Sequence, residues 1–176
     1  MNENKERVHS EDEELDDNED TLKDKYLTFR LGDEDYGIDI SYVTEIIGLQ
    51  KITEVPDMPQ FVRGVINLRG RVIPVIDIRS RFQMDERKYD DRTCVIVVNI
   101  NNTDVGLVVD IVNEVISIPE NNISPPPSVH KGSASRFVRA MGRVNDAIKI
   151  LLDMDKLLFD EEITQLDATS SHGKQM

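Results

Sequence analysis

Apolar and polar residues alternate with a period of two along most of the chain between residues 26 and 163. Short alternating runs separated by turn residues are typical of β-strands with one buried face. The runs form two groups of five. The first group lies at about 26–31, 35–40, 45–52, 62–68 and 71–77, and the second at about 94–100, 104–109, 113–118, 137–143 and 147–152. The sequence therefore predicts a mainly β protein.

The two groups of strands are copies of one another. DYGIDISYVTEII at 35–47 and DVGLVVDIVNEVI at 104–116 share Asp-x-Gly and Val-x-Glu at an offset of 69 residues. Further on, FVRGVINLRGRVIPVIDI at 61–78 and FVRAMGRVNDAIKILLDM at 137–154 share Phe-Val-Arg and a closing aspartate at an offset of 76 residues. An internal repeat of this kind indicates two units built to the same plan.

Each copy is too short for a β-sandwich, and its sheet edges are best hidden by curling into a small barrel. We expect two packed five-stranded barrels in tandem, at 25–83 and 92–160, the second with a short C-terminal helix. Asp77 and Asp153 close the two copies, and each is a candidate N-cap of a following helix. Pro74 cannot donate a ladder hydrogen bond, which predicts an edge strand or a bulge.

Charge is distributed unevenly along the 176 residues, whose net charge is -13. Residues 1–24 contain 11 of the 34 acidic residues and 3 of the 21 basic ones, and they show no apolar period. We predict a disordered acidic tail there and a flexible tail at 164–176. No apolar run reaches the ~18 residues of a membrane span, and no signal region follows Met1. Cys94 is the single cysteine, which fits a reducing compartment. We therefore expect a cytoplasmic protein.

The turn between the last two strands of the first copy is Arg69-Gly70, where Asn-Gly would be the ordinary choice. The second copy makes the same turn with Asn145-Asp146, and both of these residues tolerate left-handed backbone geometry. The fold therefore does not require an arginine at this turn. A solvated arginine is the alternative to a functional one.

Two further features draw attention to this part of the first copy. Gly64 lies inside a strand pattern, where a glycine often marks the close approach of another backbone. Basic residues also gather in this otherwise acidic chain, at Arg63, Arg69, Arg71, Arg79 and Arg81. Because the planar guanidinium group binds carboxylates through two parallel hydrogen bonds, the region is a candidate surface for an acidic protein partner.

These motifs resemble those of the CheW-like chemotaxis coupling proteins. The resemblance covers roughly residues 25–160 and rests on YGIDISYVTEI, RGVINLRGRVIPVIDIR, GLVVDIVNEV and ILLDMDKLL, with NLRG as the most specific part. It implies one domain of two five-stranded SH3-like barrels. It also implies a non-catalytic adaptor without cofactors, which links the histidine kinase CheA to the cytoplasmic tips of chemoreceptors in membrane-associated arrays without inserting into the membrane.

The resemblance also implies roles for individual residues. Arg69, Glu45 and Gly64 are expected to support receptor binding. Glu45 has a counterpart in Glu114, so a purely structural role in the repeat is the alternative for it.

Three apolar residues are implied to dock on the regulatory domain of the kinase, which is built from the same pair of barrels: Leu27, Ile40 and Val43. They lie in or just beyond one predicted hairpin, where they can share a rim. Packing in the hydrophobic core is the alternative for each of them.

Other classes of function find little support in the sequence. The histidines, at positions 9, 130 and 172, lie in the tails or in a Pro-rich loop, which is a poor setting for a general base. Cys94 has no evident histidine partner, and no phosphate-binding or calcium-binding loop is recognisable. Acidic charge and an aromatic content of 5% without tryptophan argue against nucleic-acid binding.

Within the adaptor class, the alternative is the barrel module of a CheV-like coupling protein or of a kinase regulatory domain. A CheV-like chain is expected to add a receiver domain, and a kinase is expected to add ATP-binding and dimerisation segments. We expect neither here, since the sequence ends soon after the second copy.

Overall fold

A computed structural model describes residues 21–127 and 133–159 of the chain. The tail predicted at 1–24 therefore lies outside the described residues except for 21–24, which lead into the first strand. The tail predicted at 164–176 lies outside them entirely.

The described part of the chain contains eleven strands and two short α-helices, and the predicted mainly β fold with a C-terminal helix is confirmed. Ten of the strands correspond to the ten predicted runs, and the additional one, β9, has two residues. The strands are β1 (Lys25–Leu31), β2 (Glu34–Asp39), β3 (Val43–Gly48), β4 (Val62–Leu68), β5 (Arg71–Asp77), β6 (Cys94–Ile100), β7 (Thr103–Val109), β8 (Ile111–Ser117), β9 (Ile123–Ser124), β10 (Val138–Val144) and β11 (Ala147–Leu152), and the helices are α1 (Ile78–Arg81) and α2 (Met154–Phe159).

The strands form two sheets, and each sheet takes strands from both copies of the repeat. One sheet has the order β8-β1-β2-β11-β10-β9, and the other has the order β3-β6-β7-β5-β4. The first hairpin of each copy thus pairs with the later strands of the other copy. The expected division into consecutive barrels at 25–83 and 92–160 is wrong in this respect. Because the two copies share one pattern, the hairpin of either copy fits either barrel, and the sequence does not distinguish the two arrangements.

Each exchanged hairpin pairs with a later strand of the other copy in parallel, β2 with β11 and β7 with β5. Each of these parallel pairs contains a glycine. Gly37 of β2 faces Leu151 of β11, and Gly106 of β7 faces Val75 of β5. A Cβ atom at Gly37 would lie 2.9 Å from Leu151 Cδ2, and one at Gly106 would lie 2.8 Å from Val95 Cγ1. The Asp-x-Gly motif of each copy therefore provides the space that the neighbouring apolar side chains occupy.

Both barrels are closed by a short bridge from the chain segment that follows the third strand of a copy. Thr53 and Val65 exchange two backbone hydrogen bonds of 2.8 and 2.9 Å, and β9 pairs with β10 in the equivalent way. Gly64 lies beside the first bridge with φ = +144°, and a Cβ atom there would lie 2.0 Å from the carbonyl oxygen of Thr53. The predicted close approach of another backbone to Gly64 is confirmed.

The largest hydrophobic cluster lies between the barrels, and a smaller cluster fills each barrel. The strands β1 and β6 contribute to two clusters at once. In β1, Leu27 and Phe29 face the other barrel, while Tyr26 packs inside its own. In β6, Ile96 faces the other barrel, while Val95 packs inside its own. These two strands are therefore buried on both faces.

The aspartates that close the two copies act as predicted. The Asp77 carboxylate accepts a hydrogen bond from the Ser80 backbone at the start of α1, and the Asp153 carboxylate accepts one from Lys156 in α2. Each helix is thus capped by the aspartate that immediately precedes it.

Of the two alternatives predicted for Pro74, the edge strand is wrong, since β5 lies between β4 and β7, whereas the β4–β5 ladder does have a register shift nearby, between Val62 and Gly64. Val65, opposite Pro74, directs its backbone groups to Thr53 instead. Pairing with β7 begins only at Val75. No carbonyl oxygen of the ladder therefore depends on the N–H group that the proline lacks.

An equivalent aspartate in each copy ties the exchanged hairpin to the strand beside it. Asp35 of β2 accepts hydrogen bonds from Arg30 at 3.0 Å and from Lys149 of β11 at 2.6 Å. Asp104 of β7 accepts hydrogen bonds from Asn99 and from Arg71 of β5. The hydrogen bond from Lys149, together with Arg30 and the two positive charges, outweighs partial burial and holds the pKa of Asp35 below its usual value.

The closure at Gly64 leads to a test of stability. We expect Gly64→Ala to lower the free energy of unfolding by at least about 2–3 kcal/mol, because the added methyl group meets a backbone carbonyl and the φ angle favours glycine. Gly48→Ala is the matched control, since a Cβ atom at that β3 position meets no atom within 4 Å. Urea unfolding of both variants measures the difference, and equal stabilities would contradict the role given to Gly64.

The lowered pKa of Asp35 predicts a pH dependence. Because the folded-state pKa of Asp35 lies below its ordinary value of 3.8, its contribution to stability is complete above the unfolded-state pKa and is lost as the pH falls through the folded-state pKa. We expect Asp35→Asn to cost roughly 1–3 kcal/mol at neutral pH and to unfold with a smaller fall in Tm on acidification than the wild type.

Thermal unfolding between neutral and strongly acidic pH provides this measurement. The control is Asp146→Asn, which removes an exposed carboxylate from the β10–β11 turn. Curves of Tm against pH that run parallel for wild type and Asp35→Asn would show that the ion pairs of Asp35 do not stabilise the fold.

Candidate functional site

The β4–β5 turn presents Arg69 at the end of one barrel. Arg69 has φ = 52° and Gly70 has φ = 84°, so both residues adopt the left-handed backbone of a tight hairpin turn. The Gly70 N–H donates to the Asn67 side-chain oxygen at 2.8 Å, which fixes the turn from within β4. Asn145 occupies the equivalent turn with φ = 54°. The second copy thus places an asparagine at the left-handed position of its hairpin turn and needs no arginine there.

The guanidinium group of Arg69 binds Glu45 of β3 through two hydrogen bonds. Its Nη1 and Nη2 atoms donate to the two carboxylate oxygens at 3.0 Å each. These hydrogen bonds and the carboxylate charge raise the pKa of Arg69 above its ordinary value. The arginine side chain is 71% exposed and that of the glutamate is 26% exposed. The pair therefore joins two elements 24 residues apart while remaining open to solvent.

The geometry of this pair leaves binding capacity on the arginine. A guanidinium group has five N–H bonds, and the end-on contact with Glu45 uses one from each of two nitrogens. The remaining donors point away from the carboxylate, and the side chain is mostly exposed. Exposed ion pairs contribute little to folding stability. In the sequence, only the family resemblance relates Arg69 to Glu45. In the structure, the two side chains are in direct contact.

Gly64, the third residue assigned to receptor binding, is buried. Its role in the structure is to let Thr53 approach β4 and close the barrel. It therefore supports the segment that follows β3 and contributes no side chain to a surface.

The three residues assigned to kinase binding do not share one surface. Leu27 is 2% exposed in the cluster between the barrels, paired with Ile38 on one side and with Val115 on the other. Leu27 is therefore a core residue and not part of a surface, because β1 is buried on both faces. Ile40 and Val43 are half-buried and pack against the edge of the same cluster.

Ile40 and Val43 flank a single 3-10 turn, Ile40–Tyr42, between β2 and β3. The Asp39 carboxylate caps this turn by accepting hydrogen bonds from the Ser41 backbone at 2.9 Å and the Ser41 hydroxyl at 2.8 Å. The capped turn fixes the backbone between the two apolar side chains. Both side chains are therefore partly exposed beside one fixed turn, and their role in kinase binding stays a prediction.

The predicted basic patch is largely neutralised by carboxylates. Arg79 binds Asp110 through hydrogen bonds of 2.6 to 3.0 Å, Arg63 contacts Asp77 and Glu86, and Arg71 contacts Asp104. Arg81 is buried between two aromatic rings, Phe61 and Phe137. The expectation of one basic surface is thus wrong, and Arg69 is the member of the group that is most exposed at the hairpin tip.

Asp110 is the centre of the strongest of these contacts. Its carboxylate accepts hydrogen bonds from Arg79, Arg87 and the backbone N–H of Gly32. Burial alone would raise the pKa of Asp110, but the arginines and the backbone donor hold the pKa below its usual value. Because Gly32 lies in the turn of the exchanged β1–β2 hairpin, this cluster holds the hairpin against the other barrel.

Sequence reasoning missed four exposed apolar side chains at repeat-equivalent positions. Ile46 on β3 and Val115 on β8 are 44% and 49% exposed, and Val72 on β5 and Ile148 on β11 are 71% and 51% exposed. Solvent-facing apolar residues of this kind are typical of protein interaction surfaces. The sequence does contain a sign of these residues. Each lies at a position where the alternation of its strand would place a polar, solvent-facing residue, and its counterpart in the other copy is also apolar.

Neither a metal site nor a membrane-spanning helix is found where the structure describes the chain. No group of three or more His, Cys, Asp or Glu side chains is close enough to hold a metal ion among residues 21–127 and 133–159. The helices within the same ranges are too short and too polar to cross a membrane. What the site offers is an exposed hydrogen-bonding pair and apolar rims, which suit contacts with other proteins.

Comparison with known proteins agrees with this description. A family model described as "CheW-like domain" matches residues 25–162. Chemotaxis protein CheW of Klebsiella aerogenes is 40% identical over 147 residues, covering 84% of this chain and 89% of that protein. Chemotaxis protein CheW of Thermotoga maritima is 35% identical over 150 residues, covering 82% of this chain and 93% of that protein.

A solved structure with the same fold was also found. The crystal structure of scaffolding protein TtCheW from Thermoanaerobacter tengcongensis has 39% sequence identity and a TM-score of 0.72, covering 77% of this chain and 92% of that one. The resemblance seen in the sequence motifs is thus confirmed over both copies of the repeat. The chain belongs to the CheW-like family, whose members are non-catalytic scaffolds of bacterial chemotaxis.

Proposed function

We propose that the protein couples the histidine kinase CheA to the cytoplasmic tips of chemoreceptors. It acts in the cytoplasm and is recruited to membrane-associated receptor arrays through these partners. Membership of a family of chemotaxis scaffolds supports this function. The observation that carries the proposal is the exposed Arg69–Glu45 pair, which the repeat does not need for folding and which leaves guanidinium donors open to solvent.

The Arg69–Glu45 pair is the receptor-binding part of the proposal. The carboxylate orients the guanidinium group in the free protein, and because the pair is exposed a partner can exchange one of its hydrogen bonds. The remaining N–H donors suit carboxylate or carbonyl oxygens on a receptor helix. Gly64 serves this surface indirectly, because it fixes the backbone that closes the barrel behind the pair.

The rim formed by Ile40 and Val43 is the kinase-binding part of the proposal. Both side chains are partly exposed and are held by a capped turn, which gives a rigid apolar surface. A regulatory domain built from the same kind of barrels offers a complementary sheet edge or rim. Leu27 supports this region from within the core and does not itself touch a partner.

The role of Arg69 is tested by changing its charge and keeping the turn. Arg69→Asn reproduces the residue that the second copy uses at the same φ angle, so we expect a change in unfolding free energy of about 0.5 kcal/mol or less. We expect receptor-dependent activation of CheA to fall strongly in reconstituted arrays, with binding to the isolated kinase kept. Activation at the wild-type level would show that the arginine is merely solvated.

A charge exchange separates contact with the receptor from the internal ion pair. Arg69→Glu combined with Glu45→Arg retains opposite charges at the two positions but places the guanidinium group on β3. If the internal pair alone matters, the double variant restores activation that Arg69→Glu loses. We expect no restoration, because the receptor contact requires the guanidinium group at the hairpin tip.

The kinase rim is tested by introducing a charge. We expect Ile40→Asp and Val43→Asp each to weaken CheA binding by at least about tenfold, since a charge buried at an interface costs more than about 1.4 kcal/mol. Circular dichroism and urea unfolding check that the fold is retained. Leu27→Ala is the core comparator, which should lower stability by about 2–5 kcal/mol while leaving the affinity of the folded fraction unchanged. Normal kinase affinity in a folded Ile40→Asp and a folded Val43→Asp would refute the assignment.

A further inference from the structure

Most arginines in the described ranges contact a carboxylate, but two on β10 do not. The arginines with such a contact are Arg30, Arg63, Arg69, Arg71, Arg79 and Arg87. Within residues 21–127 and 133–159, Arg139 and Arg143 form no ion pair, and the hydrogen bond of Arg139 is to the Tyr26 hydroxyl at 3.2 Å. Arg92 likewise forms no ion pair among the described residues, so Arg139 and Arg143 are distinguished by lying four residues apart on one strand.

These two arginines lie on the same face of one strand. Along β10, Ala140 and Gly142 are buried while Arg139 and Arg143 are exposed, so the arginines point out of the barrel. Arg143 lies opposite Ile148 of β11, which is 51% exposed. The outer face of this hairpin, which we call the β10 face, therefore combines two cations with an apolar side chain.

The equivalent strand of the other barrel is different. Arg63, the counterpart of Arg139, contacts Asp77 and Glu86, and the counterpart of Arg143 is Asn67, which is neutral. The unneutralised charge of the β10 face is therefore a property of one barrel and not of the repeat.

The acidic N-terminal part of the chain joins the fold next to this face. Leu22, Lys23 and Tyr26 line a surface cavity of about 600 Å³ together with Arg139. Immediately before this point, residues 11–20 read EDEELDDNED, with eight carboxylates and one apolar residue, Leu15. The charge of this run is opposite to that of the β10 face.

The tether is long enough for an intramolecular contact. Ten residues can span at most about 35 Å, and the four-residue step from Arg139 to Arg143 along a strand is about 13 Å. Attachment of this kind gives a local concentration in the millimolar range. Asp24, Asp39 and Glu120 also line the cavity and repel the acidic run. The favourable direction is therefore along β10, towards Arg143.

We propose that residues 11–20 bind the β10 face of their own chain. The carboxylates of the run contact Arg139 and Arg143, and Leu15 contacts Ile148. The contact is electrostatic, so it weakens as salt shortens the Debye length. An acidic partner surface that approaches the β10 face must displace the run, which makes the N-terminal segment an internal competitor for that surface.

Paramagnetic relaxation enhancement in the full-length chain tests this contact. A nitroxide is attached at Ser10→Cys in a Cys94→Ser background, and the amide signals of the chain are recorded at low ionic strength. We expect selective loss of signal from β10 and β11, with the signals of β4 and β5 in the other sheet kept. In about 1 M salt, where the Debye length is about 3 Å, we expect the lost signals to return.

Variants of the β10 face provide the control. Arg139→Gln with Arg143→Gln should restore the β10 signals at low salt, while Lys51→Gln with Arg92→Gln, which removes the same charge from other exposed positions, should not. A loss of signal that persists in the first double variant, or that is centred away from the β10 face, would overturn the proposal. The proposal would also be overturned if the amide signals were lost only when a spin-labelled molecule was mixed with a second, isotope-labelled molecule. The segment on the β10 face would then belong to another copy of the chain.

Discussion

Everything else in this fold depends on the parallel strand pairs that join a hairpin of one copy to the last strand of the other. Each pair contains a glycine, and an added Cβ atom would lie within 3 Å of a side chain on a neighbouring strand, that of Leu151 at Gly37 and that of Val95 at Gly106. The exchange buries β1 and β6 on both faces and places the largest hydrophobic cluster between the barrels. Neither copy has a complete barrel without the other, so the two barrels are expected to unfold as one cooperative unit.

The candidate site lies where the two copies differ. Both copies have a left-handed residue at the start of this turn, but Arg69 forms an ion pair with Glu45, whereas Asn145 at the equivalent position is neutral. The same comparison separates β4, whose Arg63 is neutralised, from β10, whose arginines form no ion pair among the described residues. Residues shared by the copies, such as the capping aspartates, explain the fold. A residue that only one barrel has is a better guide to what that barrel binds.

The sequence predicted the period-two strands, the repeat, the two helix caps and the backbone contact at Gly64, because each of these depends on local pattern or on one residue type. It did not predict the exchange of hairpins, since identical patterns fit both arrangements. The sequence also suggested that Leu27 lies on a surface rim. In the structure β1 is buried on both faces, so neither set of alternating residues on this strand is mainly exposed to solvent. The apparent basic patch failed for a related reason, since the carboxylate that neutralises Arg79 lies 31 residues away and is unrelated to it in sequence.

The exposure of the Arg69–Glu45 pair fits a coupling role better than a buried pair would. A buried pair would stabilise one state strongly once formed, and breaking it would leave an uncompensated charge. An exposed pair contributes little to folding, so a partner can exchange one of its hydrogen bonds without loss of stability. The rigidity that binding requires comes instead from the backbone, through the left-handed turn and the closure at Gly64. The surface is thus adaptable in its side chains and fixed in its position.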